Sequence, residues 1–162
     1  MILHDVRRVA AEDCFEALSR LKDEGYNVLV DLTAVDYSAY PGAPREDRFE
    51  VVYRLMSLDE TGLEGKGRVE VRCGVGEGPE LLSVKSLWPI ADWLEREVWD
   101  MFGVRFKDRP DLKRLLLYES FKGHPLRKDY PINKRQPQIG PASGEPVNNP
   151  SFNELKPTIK FE

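Results

Sequence analysis

Proline decides where regular structure can lie in this chain. Seven of the twelve prolines fall after Gly123, at Pro125, Pro131, Pro137, Pro141, Pro146, Pro150 and Pro157. Each lacks a backbone N–H and fixes φ, so this spacing forbids a long helix or a central strand. Helices and strands are therefore expected in residues 1–122. Residues 123–162 are expected to form an extended tail, either disordered or ordered by lying along another surface. A chain of 162 residues suits one domain carrying such an arm.

Periodicity fills in the first part. Between Ala11 and Glu24, Cys14, Ala17, Leu18 and Leu21 recur at helical spacing, and Gly25 stands where a helix C′ residue is expected. The run Tyr26 to Leu32 is rich in β-formers and predicts a strand, with Thr33 to Tyr37 as its exit loop. Phe49, Val51, Tyr53 and Leu55 alternate with Glu50, Val52, Arg54 and Met56, which makes one face wholly apolar. After a glycine-rich link, Val69, Val71, Cys73 and Val75 alternate in the same way and pair naturally with that strand. Pro89 opens a helix running to Phe102, with Ile90, Leu94, Val98 and Met101 on one side and Gly103 at its end. Within it Arg96 has Asp92 and Asp100 four positions away on either side, which predicts ion pairs along the helix. Leu112 to Tyr118 is apolar but ambiguous between strand and helix. The expected class is α+β: a mixed sheet flanked by helices, with an extended proline-rich C-terminal tail.

Several chemistries are excluded early. No apolar stretch approaches the ~18–20 residues of a membrane-spanning helix, and no apolar core of a secretory signal follows Met1, so a soluble intracellular protein is expected. Cys14 and Cys73 make no disulfide framework or metal site by themselves and read as small apolar core residues. Gly74, Gly76 and Gly78 follow a strand, but Pro79 and the wrong third spacing spoil a dinucleotide fingerprint. There is no phosphate-binding loop ending in Lys-Ser or Lys-Thr. The histidines, His4 and His124, have no partners at metal-ligand spacing and no nucleophile elbow. Glu97 and Asp100 are three apart on one helix; either they form an acid–base pair or they make ion pairs with Arg96 and Arg105 that fix the helix. Trp88, Trp93 and Trp99 are either core residues or interface anchors.

The total charge of −4 conceals a division. Residues 1–104 carry 12 Lys and Arg against 21 Asp and Glu, whereas residues 105–135 carry 10 against 4. Aromatic residues interleave this basic strip, as in single-stranded nucleic-acid binders. Acidic residues also interrupt it, which favours a protein-docking strip.

The string Trp93-Leu94-Glu95-Arg96-Glu97-Val98-Trp99-Asp100-Met101-Phe102-Gly103 is followed by Pro110-Asp111-Leu112-Lys113-Arg114 and then by Gly123-His124-Pro125-Leu126-Arg127-Lys128-Asp129-Tyr130-Pro131. Together with Asp31 to Tyr37 and Arg48 to Tyr53, these strings strongly resemble the 30 kDa subunit family of respiratory complex I, the C-type subunits of bacterial NADH-quinone oxidoreductase. Arg109 stands where the family pattern usually has His or Lys. The resemblance implies a scaffold subunit of the peripheral arm with no catalytic site, metal or cofactor of its own. FMN and the iron–sulfur clusters are then expected in other subunits. The implied partner is the large quinone-site subunit of the 49 kDa type, with other peripheral-arm subunits beside it and membrane contact only through the complex. It places the protein on the cytoplasmic side of the inner membrane. The implied docking motif comprises Glu95, Arg96, Glu97, Asp100, Arg114, Gly123, His124, Pro125, Arg127, Lys128, Asp129 and Tyr130. A homologous subunit of a membrane-bound hydrogenase is the alternative within the class; a nucleic-acid-binding module and a stand-alone enzyme using His124 are the alternatives outside it.

Overall fold

A computed structural model describes residues 5–42, 47–78 and 80–136. The expected tail therefore lies mostly outside the described residues. The elements run β1 (Asp5–Val9), α1 (Cys14–Asp23), β2 (Val28–Asp36), β3 (Phe49–Leu58), β4 (Glu64–Val75), β5 (Leu81–Leu82), α2 (Ala91–Phe102) and β6 (Phe106–Lys107). Four strands form a mixed sheet in the order β1-β4-β3-β2, with β1 parallel to β4 and the other pairs antiparallel. This is the α+β class expected from the sequence.

Alternation in β3 and β4 sends Phe49, Val51, Tyr53 and Leu55 and their neighbours Val69, Val71, Cys73 and Val75 into one core. Helix α1 contributes Cys14, Leu18 and Leu21, and α2 contributes Ala91, Val98, Met101 and Phe102. Burying a side chain such as Leu18 is worth about 1.5–3 kcal/mol. The opposite sheet face carries cross-strand ion pairs: Arg54 meets Glu70 at 3.0 Å and Asp31 at 3.4 Å, and Arg72 meets Glu70 at 2.6 Å and Glu50 at 3.1 Å.

Four expectations need correction. Thr33 to Asp36 are strand, because they stay in register with Val52 to Phe49 and continue the inward alternation through Ala34. Gly65 and Gly67 belong to β4, which begins at Glu64, with a register shift at Ser57/Leu58. Ile90 is exposed, because the buried stripe of α2 is rotated to Ala91, Glu95 and Val98. Finally, Cys14 and Cys73 are core residues but also form a disulfide across 59 positions, tying α1 to β4; packing two separately inward-facing thiols on one core face is what brings them together. Strands β1, β5 and β6 have no counterpart among the expected elements. Both β5 and β6 have only two residues, too few to show a period.

Candidate functional site

Beyond Gly103 the chain has almost no regular structure as far as Gln136, yet it follows one defined course over α2. Two carboxylates hold it there. Asp100 is fully buried, and its Oδ1 accepts Arg114 Nη1 at 2.6 Å. Its Oδ2 accepts the backbone N–H groups of Leu115, Leu116 and Leu117 at 3.0, 2.9 and 2.9 Å. This apolar run, ambiguous by its pattern, is therefore neither strand nor helix; it curls its amides around an anion, as backbone nests do. Burial pushes the Asp100 carboxyl up, but these four donors outweigh it and hold it below the ordinary carboxylate range.

Earlier on the same helix, Glu95 is equally buried and accepts Arg109 Nη1 at 2.6 Å, Ser83 Oγ at 2.7 Å and the Val84 N–H at 2.8 Å. Desolvation pushes this carboxyl up, while the three donors pull against it. Arg109 also bonds Asp111 at 2.9 Å and reaches Asp92. The positive charge at position 109 is thus the counter-charge of a buried helix acid. Arg96 does not pair with Asp92 or Asp100 along the helix; it donates to the carbonyls of Lys113 and Arg114 at 3.2 and 3.0 Å.

The string from Gly123 to Tyr130 caps α2. The last turn of a helix leaves carbonyls without partners. Here His124 Nδ1 donates to the Asp100 carbonyl at 2.9 Å, the Leu126 N–H to Met101 at 3.1 Å, and Arg127 Nε to Phe102. Cationic groups suit this negative end of the helix dipole. Gly103 turns the chain with φ of +75°, and a Cβ there would lie 2.6 Å from Arg127 Nη2 and His124 Cδ2, so only glycine admits the cap. Pro125 occupies the second position of the turn closed by the Arg127 N–H on the His124 carbonyl. Gly123 takes φ of +100° beneath the Tyr130 ring, which stacks on Phe121.

A second anchor comes from the far end of the sheet. Asp36, at the end of β2, accepts the Lys128 N–H at 2.9 Å and Arg48 Nη2 at 3.1 Å, and Arg48 also meets Asp129 at 2.8 Å. Burial pushes Asp36 up, but Arg48 and the amides of Ser38 and Lys128 carry it well below the carboxylate range. Asp36 and Arg48 are not among the site residues expected from the sequence; their only signal is that both fall within the family-like strings.

Of the twelve residues expected at the site, eleven lie on this helix-capping assembly. Glu97 does not: it is exposed and makes no ion pair among the described residues, while Asp100 three positions on is interior. The acid–base pair is therefore not formed. The tryptophans divide: Trp88 is core, Trp93 is exposed beneath Arg96, and Trp99 packs edge-on against His124.

The sequence profile of the respiratory-chain NADH dehydrogenase 30 kDa subunit matches residues 7–136. The chain belongs to this family. It is accordingly a subunit of an NADH-quinone oxidoreductase, respiratory complex I, and its partners are other subunits of that complex. It is 40% identical over 153 residues to a C-type NADH-quinone oxidoreductase subunit of Rhizobium etli, covering 91% of this chain and 76% of that protein. It is 45% identical over 120 residues to NADH-quinone oxidoreductase subunit 5 of Thermus thermophilus, covering 74% of this chain and 58% of that protein. The solved trypsin-resistant fragment of Nqo5 superposes with a TM-score of 0.61 at 41% identity, over 66% of this chain and 81% of the fragment. A family relative from Arabidopsis thaliana, 45% identical over 122 residues (74% of this chain, 59% of that protein), is named NADH dehydrogenase [ubiquinone] iron-sulfur protein 3. The donors in this chain do not fit an iron–sulfur cluster: its two cysteines are bonded to each other, and no group of three or more His, Cys, Asp or Glu among the described residues is placed to hold a metal ion. Among the described residues no helix is long and apolar enough to cross a membrane.

Proposed function

We propose that the chain is a non-catalytic scaffold of the peripheral arm of complex I, on the cytoplasmic side of the membrane, docking the large quinone-site subunit. Electrons from NADH then pass through FMN and iron–sulfur clusters of other subunits to quinone. The observation that carries this reading is the clamped segment. Two buried helix acids, three helix carbonyls and Asp36 all hold residues 109–130 in a single irregular path. A segment held in this way suits a recognition surface, since a preordered segment loses less entropy on binding.

Arg109, Arg114 and Arg127 of the basic strip are engaged internally, so charge reversal at Arg127 would also uncap α2. Lys128 isolates the docking question, because its side chain is exposed and makes no hydrogen bond or ion pair among the described residues. Lys128→Glu should leave thermal unfolding of the free chain unchanged and weaken co-purification with the large subunit. Undiminished co-purification overturns the docking surface.

A further inference from the structure

A cleft of about 420 Å³ opens where α2 ends, between the β4 exit loop and the capping segment. Its chemistry is cationic. Arg105, Arg114, Arg127 and His124 line it, with Trp99 as an apolar wall and Glu77 as the acid on its margin. Arg114 and Arg127 are anchored by carboxylate and carbonyl partners, so their positions are set before any ligand arrives. Arg105 is exposed and has no ion-pair partner among the described residues. His124 directs Nδ1 at the Asp100 carbonyl, which leaves Nε2 for the cleft.

Glu77 shows that this place tolerates a carboxylate. Its Oε1 lies 2.8 Å from Arg48 and 3.5 Å from Arg127, while the residue as a whole stays exposed. Arg114 is matched by the buried Asp100 and Arg127 faces Glu77, so Arg105 is the guanidinium of the lining left without an acid among the described residues. Resting on the docking reading above, we propose that the cleft receives an Asp or Glu side chain of the neighbouring subunit, held by Arg105 beside the prepositioned Arg127. Guanidinium forks match carboxylates bidentately, which makes the site selective for that group. A free small anion is the weaker fit, because an exposed arginine holds a solvated ion poorly. A side chain delivered by a docked chain arrives at high effective concentration instead. The cleft is also continuous with the capping segment that carries Lys128, so one partner can cover both.

The test uses the assembled complex. Arg105→Lys keeps the charge and supplies an amine, and a zero-length carbodiimide should then join position 105 to an Asp or Glu of another subunit, identified by mass spectrometry. Arg105→Glu should weaken retention of the chain in the complex by about tenfold through like-charge juxtaposition. Lys107→Glu, on β6 outside the cleft, should not. A crosslink confined to Glu77, or full retention of Arg105→Glu in a complex that Lys128→Glu disrupts, overturns the cleft while leaving the docking reading standing. If Lys128→Glu leaves retention undiminished, the docking reading falls and the cleft proposal that rests on it falls with it.

Discussion

The sheet with its helices and the segment from Val104 to Gln136 are held by different forces. Apolar alternation builds the sheet, whose core face buries aliphatic and aromatic side chains continuously. The segment has almost no ladder and little apolar periodicity; buried carboxylates, a helix end and one aspartate at the rim of the sheet hold its backbone. The first kind of order tolerates many similar sequences, since total volume and pattern suffice. The second depends on particular atoms, because a buried polar group that loses its partner bears its full desolvation cost. Two of the family-like strings, Pro110 to Arg114 and Gly123 to Pro131, lie in the second kind, and a third, Trp93 to Gly103, is the helix that anchors it.

Asp100→Ala should break the contrast most sharply. It strands the Arg114 guanidinium and three amides, and removing one partner of such a pair costs about 3–5 kcal/mol. Denaturant titration should show this loss, and limited proteolysis should cut within the segment before the sheet unfolds. Leu18→Ala, at about 2–5 kcal/mol, should lower stability without that selective cleavage. If the two variants are cleaved alike, the segment is not separately held.

The disulfide probes the sheet side. Reduction, or the Cys14→Ala/Cys73→Ala pair, should lower stability by about 2–4 kcal/mol through the longer-range freedom of the unfolded chain. Intact mass with and without reductant checks the bond first. The segment's course should be unaffected, because none of its anchors touches either cysteine.

The smallest effect expected is a slope with pH. Burial, and then the charges of Arg127 and Arg114, hold His124 below its ordinary value against the opposing pull of Asp100. A depressed folded value means that the unfolded chain takes the proton first as pH falls. Stability is thus fully present above the ordinary histidine value of about 6.5 and is lost as pH drops through the folded value. His124→Asn should flatten the slope of unfolding free energy across that window. An unchanged slope would show that His124 caps α2 without responding to pH.

Much of this protein is legible in its sequence. Two strands and both helices follow from spacing alone, Gly25 and Gly103 stop their helices with positive φ, and the family-like strings draw attention to eleven residues that do gather. Their roles are not legible there. Asp100 reads as an ion-pair partner of Arg96 four positions before it and Glu95 as a residue of the implied docking motif, yet both turn inward. Nothing local marks that. Leu115 to Leu117 look like part of an element because they are apolar, whereas their amides matter more than their side chains.

By itself, then, the sequence determined the kinds of element, their apolar faces and the family, because periodicity and local turn chemistry act over a few residues. The tertiary structure alone decided which charges are buried, which cysteines meet and what the basic strip is attached to. Those are pairings between groups 14 to 92 positions apart, such as Arg109 with Glu95 and Lys128 with Asp36, and chain closure in three dimensions sets them, not pattern along the chain.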